Sequence, residues 1–508
     1  MVRNFTMALL MILLGNIAAA QNLKSTKLTA SDGSGSDEFG VSVAISGDYA
    51  MAGAHRDRPK GSYSGSAYVF KRNTNGWTQE QKLIANDATS YLRFGWAVAI
   101  SGDYAIIGAK GDFHAGKNSG SAYIFKRDGA NWVQLVKLTK SNAVRDEEFG
   151  YAVTIEGDYA AVGAWGVSSG AGVVYVYKRT GAVWNEHAKL APSELAAGNL
   201  FGGAVALSGN HLLVGAPGAN AAYVFFFNGA TWTQQAKLLA NDGASGDAFG
   251  GAVFLSGEYA VIGAKQDDDK GSNSGSAYVF KRTGTSWLQQ SKLVMIDGAA
   301  EDMFGASVAI AGDEAIIGAN QDDDQGSNSG SAYLFKRVQT NWVLQNKLTA
   351  NDGAVDDQFG VAVALSGGQA IVGAWYDDDH DTDSGAAHVF SNLNVSDVAA
   401  EKVEVPAQFV LEQNYPNPFF GEAAAPSGGN LSTTIRYQLL QTAHVELAIY
   451  NAIGKKIKTL MRSAQTRGTH QARWDGKDEL GVRVASGVYW YRLRAGSFSQ
   501  ARKMIYLR

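Results

Sequence analysis

The chain has 508 residues, 45% hydrophobic and 18% charged, with 60 glycines, 7 prolines and no cysteine. The missing cysteine excludes disulfides, thiolate metal sites and a thiol nucleophile, so any secreted form must be held by packing and hydrogen bonds alone. The net charge of −4 is unevenly spread: from Val405 onward there are 14 basic and 6 acidic residues, net +8, leaving 30 basic and 42 acidic, net −12, in the remainder. That split points to two domains and gives no support to nucleic-acid binding by the larger one.

In chain order, residues 1–20 read as a signal peptide. Arg3 supplies the positive start, Met7 to Leu14 the apolar core, and Ala18-Ala19-Ala20 the cleavage site. The apolar run is too short to span a bilayer, and no later segment has 18 continuous apolar residues.

Residues 21–392 are dominated by a repeat. Phe-Gly recurs at Phe39, Phe94, Phe149, Phe201, Phe249, Phe304 and Phe359, with spacings of 55, 55, 52, 48, 55 and 55. Each copy holds four strand-like runs, A to D; in the second they are Ala97–Ser101, Tyr104–Ala109, Ser121–Lys126 and Trp132–Leu138. The A–B link is two residues, such as Gly102-Asp103, which suits a hairpin turn needing positive φ. Strands A and B are small or apolar on both faces, as expected of a sheet sandwiched between other sheets. Four-stranded units at this period predict propeller blades; a solenoid would need end caps, which are absent.

Strand D ends in Lys-Leu at Leu83, Leu138, Leu190, Leu238, Leu293 and Leu348, and the last unit stops after its strand C, Ala386 to Phe390. The missing copy, Lys27-Leu28, precedes the first Phe-Gly. The expectation is an all-β, seven-bladed propeller whose last blade is closed by the N-terminal strand, removing exposed sheet edges. The units resemble FG-GAP repeats, including a literal Gly215-Ala216-Pro217 after Phe201-Gly202. The resemblance implies a ring related to the head of integrin α chains, with adhesion or ligand binding as its role. Integrin-type repeats carry calcium in an Asp-rich A–B loop. Here that loop is a bare turn, such as Gly47-Asp48 or Gly257-Glu258, so those sites do not carry over.

Alternating strand direction puts the D–A and B–C loops on one face and the A–B and C–D loops on the other. The D–A loops carry acids such as Asp32, Asp87, Asp242, Asp297 and Asp352, several of which are expected to bond turn backbone. The last three B–C loops add Asp267-Asp268-Asp269, Asp322-Asp323-Asp324 and Asp377-Asp378-Asp379 with Asp381 and Asp383. Closely spaced carboxylates repel unless neutralised. The candidate cation set, calcium or a cationic partner, is therefore Asp267, Asp269, Asp322, Asp324, Asp377, Asp379, Asp381 and Asp383. On the opposite face, Lys71-Arg72, Lys126-Arg127, Lys178-Arg179, Lys281-Arg282 and Lys336-Arg337 are expected to end strand C with their stems on the neighbouring Trp. Trp77, Trp132, Trp184, Trp232, Trp287 and Trp342 read as strand-D packing residues.

Residues 393–407 read as a linker, and 408–508 as a small Ig-like antiparallel sandwich with strands at Thr433–Leu439, Val445–Tyr450, Lys456–Leu460, His470–Trp474, Gly487–Arg494 and Arg502–Leu507. Its motifs resemble the type IX (Por) secretion sorting domain, with a FlgD-like Ig fold: Asn414-Tyr415-Pro416-Asn417-Pro418-Phe419, then Ala485-Ser486-Gly487-Val488-Tyr489, then Arg502-Lys503-Met504. The resemblance implies Sec export, an outer-membrane translocon as partner, and removal of the domain at the surface. An inserted segment, Gly421 to Ser432, is expected to lengthen a loop.

The eight histidines are scattered, with no HExxH spacing, GxSxG elbow or Walker loop. Strand A is monotonous Val, Ala, Ile and Ser, which predicts a bland channel. The reading is a secreted or surface monomer that is not an enzyme and that binds an extracellular protein or glycan. A propeller lectin, marked by exposed aromatics at blade seams, is the alternative. A hydrolase or lyase would need a non-repeated acid/base pair, for which Asp379 with His380 is the sole candidate.

Overall fold

A computed structural model describes residues 23–391 apart from positions 141 and 296, then 393, and residues 410–507 apart from 412, 421–431, 440–442, 452–453, 466–467 and 496–497. The signal peptide, nearly all of the linker and most of the inserted segment lie outside the described residues. The chain divides into two compact units, 1–395 and 396–508.

The first unit contains seven four-stranded antiparallel sheets, each in the order A-B-C-D. Blade 1 comprises Phe39–Ser46, Tyr49–Ala54, Ser66–Asn73 and Gly76–Leu83, and the next five repeat the scheme. Blade 7 comprises Val363–Ser366, Gln369–Ala374 and Ala386–Ser391, and its outer strand is Lys24–Leu28. That strand pairs Lys24 with Ser391, Thr26 with Val389 and Leu28 with Ala387. The ring is closed as the sequence predicts, and the solenoid alternative falls.

Cohesion lies between blades rather than within them. One apolar cluster joins Met51 and Val69 of blade 1 to Ile107 and Tyr123 of blade 2. Another joins Leu28, Ile371 and Val389 of blade 7 to Ala50 and Tyr68 of blade 1. Strand B is buried along its whole length in blade 1, so both its faces serve as core. The repeated glycines mark where blade backbones touch. A Cβ on Gly95 would meet Ser66 O at 2.1 Å, and one on Gly53 would meet Gly95 O at 1.9 Å. The A–B turn glycines differ: Gly47 has φ of 58° with open space around it, so its requirement is conformational rather than steric.

The strand-D tryptophans pack as expected; Trp132 sits edge-on to Tyr49 of the preceding blade with centroids 5.9 Å apart. The Lys-Arg pairs end strand C as expected, and Arg282 lies 6.0 Å from the ring centre of Trp287, but four of the arginines have a further role. Arg72, Arg127, Arg179 and Arg337 bind the A–B turn carboxylates Asp48, Asp103, Asp158 and Asp313. Arg127 also lies 4.7 Å from the ring centre of Tyr49, and Arg337 the same distance from Tyr259. A planar guanidinium stacks on the neighbouring blade's tyrosine while the turn aspartate takes its charge.

The second unit is a two-sheet sandwich. A three-stranded sheet holds Val410–Leu411, Thr433–Leu439 and Gly468–Trp474; a five-stranded sheet holds Phe419–Phe420, Ala443–Asn451, Lys456–Gln465, Gly487–Ala495 and Phe498–Leu507. Several strands run longer than predicted, the last beginning at Phe498 rather than Arg502. Between the sheets lie Ile435, Tyr437, Leu447, Trp474, Tyr491 and Met504.

Candidate functional site

On the face carrying the D–A and B–C loops, one arrangement recurs. In blade 6 the ammonium of Lys347, from strand D, lies 3.0 Å from Asp297, 2.9 Å from Asp322 and against Asp324. The hydroxyl of Tyr333, from strand C, donates to Asp322 at 2.7 Å and Asp297 at 3.1 Å. Blade 5 repeats this with Lys292, Asp242, Asp267, Asp269 and Tyr278, and blades 1 and 2 have shorter forms around Lys82 and Lys137. Burial works against the charged lysines, but the hydrogen bonds they donate to the carboxylates raise them above their ordinary range, and Lys347 in turn lowers Asp297.

The predicted cation set is thus distributed over three separate cages, each already holding an ammonium. Asp267 and Asp269 bind Lys292, Asp322 and Asp324 bind Lys347, and Asp377 and Asp379 bind Lys27 from the closing strand. Asp381 instead accepts from the backbone N–H of Gly35 and Thr382, and the N–H of Asp383 donates to Asp378. Sequence reasoning asked what neutralises these carboxylates and missed the lysine, which lies 25 residues downstream of Asp267 and Asp322. In blade 7, His388 stands at the tyrosine position, buried and driven down to about 4 by that burial. Among the described residues Asp352, Asp377 and His388 have ligand atoms within 4.8 Å of one another, with Lys27 bridging the two carboxylates. In four units the aspartate two residues before Phe-Gly bonds turn backbone as expected: Asp37, Asp247, Asp302 and Asp357 accept from N–H groups three residues earlier.

The repeat breaks at two positions, the residue after Phe-Gly and the residue after Gly-Ala. The residues after Phe-Gly are Val41, Trp96, Tyr151, Gly203, Gly251, Ala306 and Val361, and those after Gly-Ala are His55, Lys110, Trp165, Pro217, Lys265, Asn320 and Trp375. Blades 1 to 3 therefore carry aromatic and titratable groups where blades 4 to 6 carry mostly small ones. The rings form a row: His55 to Trp96 at 4.9 Å, Trp96 to Tyr151 at 5.6 Å, and Tyr151 stacked on Trp165 at 4.0 Å. Lys110 Nζ sits 3.2 Å from the Trp96 ring centre and 3.5 Å from Glu148, whose carboxylate also accepts from Trp165 Nε1 at 3.0 Å.

Burial shifts Lys110, Glu38 and His55. Lys110 is pushed down to about 8 by burial, with Arg93 adding like-charge repulsion against the pull of Glu148. Fully buried Glu38 is pushed up to about 7, although Arg56 and Arg93 oppose this. His55, 3.4 Å from Glu38, is held well below its usual value by burial and by Arg93, Arg56 and Lys110. Such clustering of perturbed groups is a mark of functional sites. A pocket of about 400 Å³ opens beside the row, lined by Tyr91, Arg93, Lys110, Phe113, Lys117, Asn118 and Glu148. Aligning the repeats and asking which positions fail to repeat would have found this cluster; motif reading looks for what recurs. The channel itself is bland as predicted, a cavity of about 390 Å³ lined by Val43, Val98, Val153, Val205, Phe254 and their neighbours, with Glu156 its single carboxylate. The enzymatic pair does not assemble as a free unit, since Asp379 is taken by Lys27.

In the second unit the motif residues knit the first segment to the rest. Buried Asn414 donates to Thr433 Oγ1 at 2.9 Å, Asn417 accepts from the Ile505 N–H at 2.8 Å, and the Lys503 carbonyl accepts from Gln413 at 2.8 Å. Phe419 packs on Trp474 and Tyr506. The Tyr489 hydroxyl donates to the Ala485 carbonyl, two residues before Gly487. Tyr415 is exposed, while Pro416 and Pro418 carry the chain between Asn414 and Phe419.

These features define a seven-bladed β-propeller followed by an Ig-like module. FG-GAP repeats match at residues 23–70, 77–125, 132–177, 184–225, 232–280, 287–335 and 342–390, more than half of the sequence, and the chain belongs to the FG-GAP repeat family. A FlgD Ig-like domain matches at 421–497. Similar solved structures include U3-55K (11% identity, 72% of this chain and 98% of that one, TM-score 0.47) and the Cps50 (Swd1) β-propeller domain of Myceliophteria thermophila (12%, 72% and 99%, 0.47). A third is the set of WD40 repeats of RRP9 (11%, 73% and 99%, 0.45). No curated protein matches. Among the described residues no helix is long and apolar enough to cross a membrane.

Proposed function

We propose that this is an exported, non-enzymatic binding or adhesion protein, with the propeller as scaffold and the Ig-like module as a type IX sorting domain. The observation that carries the binding reading is the row His55, Trp96, Tyr151 and Trp165 with Lys110 over it in blades 1 to 3, of which blade 7 repeats only the indole, as Trp375. A purely structural ring has no reason to break its repeat on one sector of one face, or to hold a lysine and a glutamate away from their ordinary titration ranges. The acidic sector of blades 5 to 7 is largely occupied by its own lysines, so recognition is assigned to the opposite sector.

The test is capture of surface material on the immobilised full chain, with and without calcium, comparing the native sequence with Arg93→Gln and Phe113→Ala. The expected result is a defined component retained by the native chain and lost by both variants. Equal retention by all three removes the site. For the sorting role, the resemblance of Asn414 to Phe419 and the terminal Arg502-Lys503-Met504 is the support. Deleting residues 409–508 should trap the propeller in the periplasm, and unchanged release of the truncated form refutes the sorting role.

A further inference from the structure

We propose that the pocket of Tyr91, Arg93, Lys110, Phe113 and Lys117 binds an anionic saccharide, a sugar ring bearing a carboxylate or a sulfate ester. The proposal rests on the binding role above and names the ligand chemistry of that sector.

Three observations converge. First, the pocket is charged against its background. Three cations, Arg93, Lys110 and Lys117, face one carboxylate, Glu148, inside a propeller (residues 21–392) of net −11. Elsewhere on this face the strand-D lysines of blades 1, 2, 5, 6 and 7 sit among aspartates. Arg93 differs: it is half-buried and makes no ion pair among the described residues. Glu38 feels its charge, but no carboxylate of the described residues touches it, and a half-buried guanidinium with its fork uncovered matches a carboxylate or a sulfate. Second, two large aromatic side chains stand open at the same place, Tyr91 at 50% exposed and Phe113 at 43%. Neither position is aromatic in the other repeats; Tyr91 leans edge-on against Tyr63 of blade 1 at 5.7 Å and still leaves half its surface open. Exposed aromatic faces accept the C–H face of a pyranose ring while its hydroxyls remain free to hydrogen-bond, and Asn118 and Glu148 supply partners for them. Third, the volume of about 400 Å³ lies in the lower part of the range for small-ligand sites, enough for one or two sugar rings and too confined for a folded partner.

A nucleic acid would also like cations and aromatic rings. It needs a continuous basic track, however, and here Asp112 precedes Phe113 and Asp146 accepts from Asn118 Nδ2 at 3.1 Å, which interrupts any such track.

The test is calorimetric titration of the full chain with a tetramer of uronic acid, its neutral methyl ester, a sulfated tetrasaccharide of matching length, and a single-stranded oligonucleotide. At least one charged sugar should bind, and at least tenfold more tightly than the ester. The uronate and sulfate arms identify which anion is preferred; binding of either supports the proposal. Arg93→Gln should weaken binding at least tenfold, Tyr91→Ala and Phe113→Ala several-fold, and Leu288→Ala, exposed on blade 5, not at all. Lys110 faces Glu148, Arg93 and His55, so affinity should also fall several-fold between pH 7 and pH 9. Failure of both charged sugars, equal binding of the ester, tighter binding of the oligonucleotide, or indifference to Arg93→Gln each overturns the proposal. If the sugars fail while surface capture is still lost in Arg93→Gln, the ligand class is wrong and the binding role stands. If neither variant affects capture, the role falls as well.

Discussion

Replacing Leu28 with alanine should destabilise the ring as much as replacing Leu348. Both leucines end a D strand, both are 3% exposed, and each pairs with an alanine of strand C, Ala387 and Ala332. They differ in that Leu348 lies on a strand continuous with its blade, whereas Leu28 arrives from the other end of the chain. A buried Leu→Ala change costs about 2–5 kcal/mol. With about 2.1 cal/mol/K of unfolding entropy per residue, a ring of this size has roughly 0.8 kcal/mol/K, so a loss of about 3 kcal/mol lowers the melting midpoint by about 4 °C. Differential scanning calorimetry of both variants measures this, and hydrogen exchange at Ala387 and Val389 separates local fraying from global loss. A clear drop for Leu348→Ala with no change in either readout for Leu28→Ala would mean that the closing strand contributes nothing, and closure as described here would be wrong.

Lys347→Met should cost about 3 kcal/mol at pH 7, because it leaves buried Asp322 without its cation. Asp297 is lowered in the folded chain, so its stabilisation is present above its unfolded pKa and lost on acidification; the deficit of the variant should hold from pH 7 to about pH 4 and shrink below that. Glu38 behaves oppositely. Its folded pKa, about 7, lies above the unfolded value, so its ionisation opposes folding as pH rises. Glu38→Gln should match the native chain near pH 4 and gain up to about 3 kcal/mol by pH 8, read as melting temperature against pH. Gly95→Ala should prevent folding or cost several kcal/mol, since its Cβ would strike the Ser66 carbonyl, whereas Gly47→Ala should cost only about 1 kcal/mol for its positive φ; equal effects would refute the contact argument.

Blade count, closure and the A–B turn were legible because they depend on residues adjacent in sequence or repeated along it. The pairing of Leu28 with the strand around Val389 followed from counting Lys-Leu copies against Phe-Gly copies. What was not legible depends on side chains meeting across blades. Nothing near Asp267 announces Lys292, and nothing near Arg127 announces Tyr49 of the blade before. Trp96, Lys110, Tyr151 and Trp165 were hidden for another reason. Each lies beside a repeated Phe-Gly or Gly-Ala, and the eye completes the motif and passes over its neighbour. The cation expectation had sound physics, since the carboxylates do need a positive partner, but the chain supplies one itself.

The matched family unit at 77–125 contains the D strand of blade 1 and strands A to C of blade 2, so the sequence period and the blade are offset by one strand. Any whole number of such units leaves a spare D strand at the front and an open place for it at the back. Duplicating or losing one unit in a gene therefore yields a ring of different circumference that still seals itself, without a new joint having to evolve.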